Sequence, residues 1–428
     1  MKTTVLLSSF FLSVAICLAD GSFDVRDFGA TGDGKTFDTA AIQKALDACE
    51  KSGGTVEFPA GIYLSRPLTI RSKTIFKIDS GAILQASTNQ MDFMKTPGDW
   101  LAAKSGGDFI PFIGGKDLTD VTFTGGGVID GNGAVWWGEA EKARQIKPGY
   151  TLPRPNLIVI NRATNLRMEN ITLQNSPKFH FVPTDCEGVV ISNVTVLAPE
   201  RAANTDAIDP SNCKNVLITK CKIDVGDDNV AIKAGKKVAG REFACEDITV
   251  TDCTFLHGHG MSIGSETAGG VRNVTVKNCT FENTENGIRI KSQRGKGGIV
   301  ENLVCDGITM KNVNPAITLT CYYANNSAGD TAPPAAANEA TKVSEKIPTY
   351  RNIRISNLTA TCPKGAGVIA GLPESCITNV IFENVNISAA KSFEIRNAKG
   401  IQFKNSSVAV ATGEPFKLEN AEVVGLEK

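Results

Sequence analysis

From about residue 120 onward one pattern of apolar and polar positions returns: an apolar-x-apolar pair, two linking residues, then a second such pair. Instances are Leu166, Met168, Ile171 and Leu173; Val189, Ile191, Val194 and Val196; Val216, Ile218, Cys221 and Ile223. The frame returns at Ile248, Val274, Leu303, Ile353 and Val380, which puts the leading positions 23, 27, 32, 26, 29, 50 and 27 residues apart. Alternation with a period of two predicts strands that bury one face. Uneven recurrence at this length predicts stacked coils rather than separate domains. No helical pattern separates the strands, which disfavours a leucine-rich or other α/β repeat. The blades of a propeller are longer and more uniform. The expected fold is all-β: a right-handed parallel β-helix whose strands pair with the coils above and below.

The punctuation agrees. Asn165, Asn215, Asn273, Asn302, Asn352 and Asn379 precede strands, and Asn170, Asn193, Asn278, Asn357 and Asn384 sit between the paired runs. Asn tolerates the left-handed backbone of tight turns. Many of these residues form Asn-x-Ser/Thr sequons as a by-product of that turn grammar. Ahead of the repeat, Ala41, Ile42, Ala45, Leu46 and Cys49 recur at helical spacing within 38–50, which predicts an amphipathic helix over the open end of the solenoid. The Ala/Pro-rich run 328–346 breaks the repeat and reads as a long surface loop.

Composition narrows the class. Forty-five basic and 45 acidic residues balance among 428, so neither a nucleic-acid partner nor a membrane surface is expected. Lys2, the apolar run from Val5 to Leu18 and the small residue Ala19 read as a secretory signal over 1–19, too short to span a membrane. A single mature domain over 20–428 is expected, secreted or periplasmic and monomeric. Twelve cysteines in an exported chain raise disulfides. Yet Cys221, Cys253 and Cys279 share one inward position of three coils, and Cys186, Cys213 and Cys245 share another. Buried thiols and cross-coil disulfides are both open on this register. No Cys-x-x-Cys metal spacing occurs, and no metal or cofactor is expected.

Acids gather late in the repeat. Asn204-Thr205-Asp206 is followed by Gly226-Asp227-Asp228, then Gly258-His259-Gly260 and Arg289-Ile290-Lys291. Asp227 and His259 each lie eleven residues beyond the leading position of consecutive coils, so they should stand one above the other. Alternation puts Arg289 and Lys291 on one face of their strand and Ile290 on the other. Close carboxylates cannot all ionise, so one is held protonated as an acid while its partners act on water. Two cations beside them suit an anionic substrate. Alone, an Asp-Asp pair is usually a solvated turn and a lone His a structural one; their shared register argues for a site.

These four motifs, in this order, resemble those of the polygalacturonases, glycoside hydrolase family 28. Val25 to Ala30 with Gly32-Asp33-Gly34, Val128-Ile129-Asp130-Gly131 with Trp136-Trp137, and Asn175-Ser176-Pro177 extend the resemblance over nearly the whole mature chain. It implies inverting hydrolysis of α-1,4 bonds between galacturonic acid units of pectin. On the family's pattern Asp227 is the general acid, and Asp206 and Asp228 position and deprotonate water. His259 supports the acid, and Arg289 and Lys291 bind substrate carboxylates. Asn204 and Lys233 are further candidates for substrate contact. One of Tyr322 and Tyr323 resembles a substrate-contacting tyrosine, with Tyr322 preferred. His180 either lines the cleft or packs in the core. Segment 89–155 and the run after Tyr323 exceed a minimal member and would favour exo attack by walling one end of the groove. Exo and endo modes both stay open. So do a xylogalacturonan or rhamnogalacturonan substrate, a Ca²⁺-dependent pectate-lyase-like enzyme, and a non-catalytic carbohydrate-binding β-helix.

Overall fold

Each leading position of the repeat pairs with the next. Val121, Leu166, Val189, Val216, Ile248, Val274, Leu303, Ile353 and Val380 stand in one parallel column. A second column runs through Leu84, Ile129, Leu173, Val196, Ile223, Phe255, Phe281 and Met310. A third runs through Leu68, Ile113, Ile158, Phe181, Ile208, Val230, Met261, Ile288 and Ile317. Three stacked parallel faces around one apolar interior define the right-handed parallel β-helix. The computed structural model describes residues 21–426 except 97, 99, 101–107, 147–151, 236–243, 324–339 and 342–345. The expected signal segment and most of the Ala/Pro-rich run lie outside the described residues.

The solenoid begins earlier than the repeat is legible. Val56 pairs with Phe76, and Phe76 with Phe123. Two excursions hide the period there. A 3-10 turn over Gln90–Phe93 and helix α2 (Ala134–Ile146) leave the column and return. Ile113–Lys116, Thr119–Thr124 and Val128–Asp130 between them form a regular coil, so segment 89–155 is not one insertion but two additions flanking a rung. Phe93, Trp100 and Phe109 pack against the fully buried Trp136 of α2.

Helix α1 (Thr39–Ser52) buries Ala41, Ile42, Ala45, Leu46 and Cys49 on the first coil. It covers the end of the solenoid, where an open strand edge would otherwise be exposed. All eleven turn asparagines singled out above have φ between +51° and +59°. Their amides form rungs along the surface. Asn302 donates to Asn273 at 3.1 Å, Asn352 to Asn302 at 3.2 Å and Asn379 to Asn352 at 2.8 Å.

None of the eleven described cysteines is in a disulfide. Cys221, Cys253 and Cys279 each donate to the carbonyl two residues back, at 3.3, 3.3 and 3.2 Å. Thiols here act as small buried donors that close a turn. Burial pushes the Cys245 thiol up to about 12, which keeps it protonated and unreactive. Thiol titration of the chain starting at Asp20 in denaturant without reductant should therefore return all eleven described cysteines as free thiols. A count below two would establish a disulfide framework instead.

Candidate active site

The site lies on the third face, where four consecutive rungs bring the motifs together. Counting back two residues from Val230↔Met261 makes Asp228, not Asp227, level with His259. The coil that carries Asp227 has one more residue between the second and third columns than the coil after it, so spacing from the leading position slips by one. His259 still reaches Asp227: its Nδ1 is 3.0 Å from Asp227 Oδ1 and 3.9 Å from Asp228 Oδ1. Its Nε2 faces Glu285 Oε2 at 3.1 Å.

Glycine permits this turn. Gly258 has φ +113°, and a Cβ there would stand 2.5 Å from the Asp227 carbonyl oxygen. Gly260, at φ +78°, would place a Cβ 2.1 Å from the carbonyl oxygen of Asn286. The Gly-His-Gly string is thus a requirement of close coil approach as much as of chemistry.

Asp228 is buried and fully engaged. Lys291 Nζ is 2.7 Å from its Oδ2, Ser262 Oγ donates to its Oδ1 at 2.7 Å, and Arg289 Nη1 lies 3.9 Å from Oδ1. Ladder register explains the convergence, since Ser262 is level with Arg289 and Gly264 with Lys291. Asp227 is held from the other side. Asn204 donates to its Oδ2 through the backbone N at 3.2 Å and through Nδ2 at 3.4 Å. Asn204 itself is fixed by Arg154, whose Nη2 donates to Oδ1 at 2.9 Å. Arg154 is 2 % exposed and donates from Nη1 to the carbonyls of Pro177 and Ala203, both at 3.0 Å.

Asp206 faces a different cation. Lys233 Nζ is 3.3 Å from Asp206 Oδ2 and 2.5 Å from Asp209 Oδ2. Lys233 therefore serves two buried carboxylates. Oδ1 of Asp206 and Oδ1 of Asp209 are buried without a hydrogen-bond partner among the described residues. These two oxygens are acceptors left for a ligand or a bound water.

The electrostatics divide the three acids. Burial pushes Asp227 up, but His259 and Lys291 overcome it and hold the carboxyl well below the usual range. Burial acts on Asp228 as well, and Lys291 and Arg289 bring it below its ordinary value. Asp206 goes the other way. Burial, then the negative charges of Asp227 and Asp209, push it well above the carboxylate range despite Lys233. Burial lifts Asp209 to about 6. Burial opposes charge on His259 too, yet Asp227 and Glu285 raise it to about 10. Of the three carboxyls Asp206 is thus the one most inclined to hold a proton, while the charged imidazole favours an ionised Asp227.

Two expected contacts fall elsewhere. Tyr323, not Tyr322, stands by the cations: its ring centroid is 5.5 Å from Arg289 Cζ and 5.2 Å from Lys291 Nζ. Tyr322 turns inward, packs on the core and bonds toward Asn397. The antiparallel bridge Gln293↔Tyr322 sets which of the adjacent residues points out. His180 is 0 % exposed and lines no cleft; its Nδ1 bonds the Asp206 carbonyl at 3.1 Å and burial lowers it to about 4. It supports the backbone under Asp206. Arg154, Ser262 and Glu285 were not singled out in the sequence, and Asp209, in an Asp209-Pro210 string that adds to the resemblance, was given no role. Of the first three none lies in a motif, and only Ser262, level with Arg289, follows from strand register.

Asp227, Asp228 and His259 offer ligand atoms within 4.8 Å of one another, the spacing of a metal set. All four carboxylate oxygens already accept from Asn204, His259, Ser262 or Lys291, and the Lys291 ammonium repels a cation.

Glycosyl hydrolases family 28 matches over residues 53–409. The chain belongs to this family and is a glycoside hydrolase. It is 35% identical over 371 residues to an endo-polygalacturonase of Pectobacterium parmentieri, covering 84% of this chain and 86% of that one. The solved polygalacturonase from Erwinia carotovora ssp. carotovora superposes with a TM-score of 0.71 at 31% identity, covering 91% and 94%. The hyperthermoactive exopolygalacturonase from Thermotoga maritima gives 0.71 at 25% identity, over 91% and 92%. The resemblance read from the four motifs therefore holds, as does the solenoid it implies.

Proposed function

We propose that the protein hydrolyses α-1,4-galacturonosidic bonds of polygalacturonan outside the cell, with inversion at the anomeric carbon. The observation that carries this reading is the pair Arg289 and Lys291, buried beside Asp228 and under Tyr323, on the rung next to His259. Buried cations next to an acid cluster suit a substrate that brings its own carboxylate. The polygalacturonase relatives support the same substrate class.

The proton distribution gives a sequence of events. A uronate carboxylate on Arg289 and Lys291 offsets the positive field that keeps Asp227 and Asp228 ionised. Asp227 then rises and takes a proton. Asp206 loses its repelling neighbour, falls and ionises. Asp227–H protonates the glycosidic oxygen as the C–O bond breaks. Asp206 and Asp228 accept the proton of the water that attacks the opposite face of the sugar. Imidazolium at His259 keeps Asp227 oriented and withdraws as Asp227 gains its proton.

Product analysis on polygalacturonate tests the reading. New reducing ends without ultraviolet-absorbing unsaturated product, first-formed product of β configuration by proton NMR, and full activity in a chelator are expected. Unsaturated product or chelator sensitivity would instead identify a lyase, and retained α configuration would exclude inversion. Binding without new reducing ends would make the groove a carbohydrate-binding surface. The same time course separates the modes: monomer alone from the start is exo attack, and a ladder of oligomers is endo.

A further inference from the structure

The acids have cations on both sides. Arg289 and Lys291 occupy one. On the other, the segment Asn175–His180 places Lys178 and Phe179 next to Asp206. His180 N donates to the Asp206 carbonyl at 2.8 Å, and Phe181 is level with Ile208, two residues beyond Asp206. Lys178 Nζ lies 4.4 Å from the centroid of the Phe179 ring, and Lys233 Nζ lies 4.2 Å from the same centroid. The two ammoniums differ in their partners. Lys233 is matched by Asp206 and Asp209. Lys178, half-buried, has no carboxylate in ion-pair contact among the described residues. Its backbone is fixed, with its N donating to Ser176 Oγ at 3.3 Å. Burial disfavours its charge, and around it attraction from Asp206 and Asp209 is opposed by repulsion from Arg154 and Lys233.

A half-buried ammonium without an anion is costly unless a ligand supplies one. Four steps of the third column separate the Lys178 rung from the Arg289 rung. At about 4.8 Å per step this is about 19 Å, room for several sugars of one strand. A polyuronate carries a carboxylate on every unit. We propose that Lys178, seated on Phe179, binds the carboxylate of a uronate on the Asp206 side of the cleaved bond. The groove then grips the chain by acid groups on both sides of the acids, and this second contact discriminates free uronate from its methyl ester. The proposal rests on the galacturonan reading above.

The test compares wild type with Lys178→Met and Lys178→Arg on defined oligogalacturonates. Each oligomer is used in free-acid form and methyl-esterified on the non-reducing or the reducing half. On the free acid, Lys178→Met should lose about tenfold to a hundredfold in kcat/KM, the worth of a charge-assisted hydrogen bond. Lys178→Arg should retain most of the activity. On the oligomer esterified at the half that faces Asp206, wild type should fall to the level of Lys178→Met and the variant should lose little more. A Lys178→Met loss relative to wild type that is as large on the oligomer esterified at the Asp206 half as on the free acid, or no loss on the free acid with an unchanged thermal midpoint, would overturn the proposal. Wild-type inactivity on every galacturonate would overturn the galacturonan reading itself, a result that the variant comparison cannot mimic.

Discussion

Asp227→Asn is expected to lower turnover on polygalacturonate by about a thousandfold or more, within or beyond the usual share of a positioned proton donor. The substitution keeps shape and removes the acidic proton, the negative charge and one acceptor oxygen. Asn204 N and Asp228 N–H bond different oxygens of Asp227, so the amide accepts from one and the other loses its partner, a cost of about 1–3 kcal/mol that should leave a cooperative melting transition. The imidazole changes too. His259 Nδ1 now bonds a carboxylate at 3.0 Å, and a neutral amide no longer lifts the imidazole to about 10. The sign of the linkage follows. A histidine raised above its unfolded value contributes stability that is complete below about pH 6.5 and is lost as pH rises towards 10. Thermal midpoints should therefore decline over this window in wild type and decline less in Asp227→Asn. Activity within tenfold of wild type would reassign the acid, with Asp206 the next candidate because burial and its negative neighbours push that carboxyl above its ordinary range.

Lys291→Met should cost about a hundredfold or more in kcat/KM, through two losses at one atom. The Nζ of Lys291 is 2.7 Å from Asp228 and is also the point charge offered to a substrate carboxylate. Removing it leaves Asp228 buried with Arg289 and the His259 imidazolium as its remaining cations, each at 3.9 Å. Truncating one partner of a buried ion pair costs about 3–5 kcal/mol. The Asp228 carboxyl, now held below its ordinary value chiefly by Lys291, then rises. A base that protonates earlier fails earlier, so the acidic limb of the kcat–pH profile should move to higher pH. A raised KM with an unmoved acidic limb would restrict Lys291 to substrate binding.

The fold was legible because two independent signals agree. Inward apolar positions recur coil after coil, and the asparagines between them mark left-handed turns. Both depend on neighbours within a few residues. The N-terminal coils were not legible, because α2 and the turn at Gln90–Phe93 lengthen the loops between paired strands and erase the period. In the site, motif residues were readable and their supports were not. Arg154 reaches Asn204 across 50 positions of sequence, and Ser262 reaches Asp228 across 34. Tyr322 and Tyr323 are adjacent, and only the bridge to Gln293 decides which of them faces the cations.

The asparagine rungs carry a further consequence for how the protein is made. Asn193 begins Asn-Val-Thr, and its Nδ2 donates to Asn170 at 2.7 Å. Asn357 begins Asn-Leu-Thr, and its Nδ2 donates to Asp306 at 2.7 Å. The nitrogen that an oligosaccharyltransferase would modify is the one that ties each rung to its neighbour. A glycan attached during synthesis would arrive before the coils stack and would keep those two rungs apart. A yeast or insect secretory host therefore acts against this solenoid, whereas a host that leaves these amides bare lets it close.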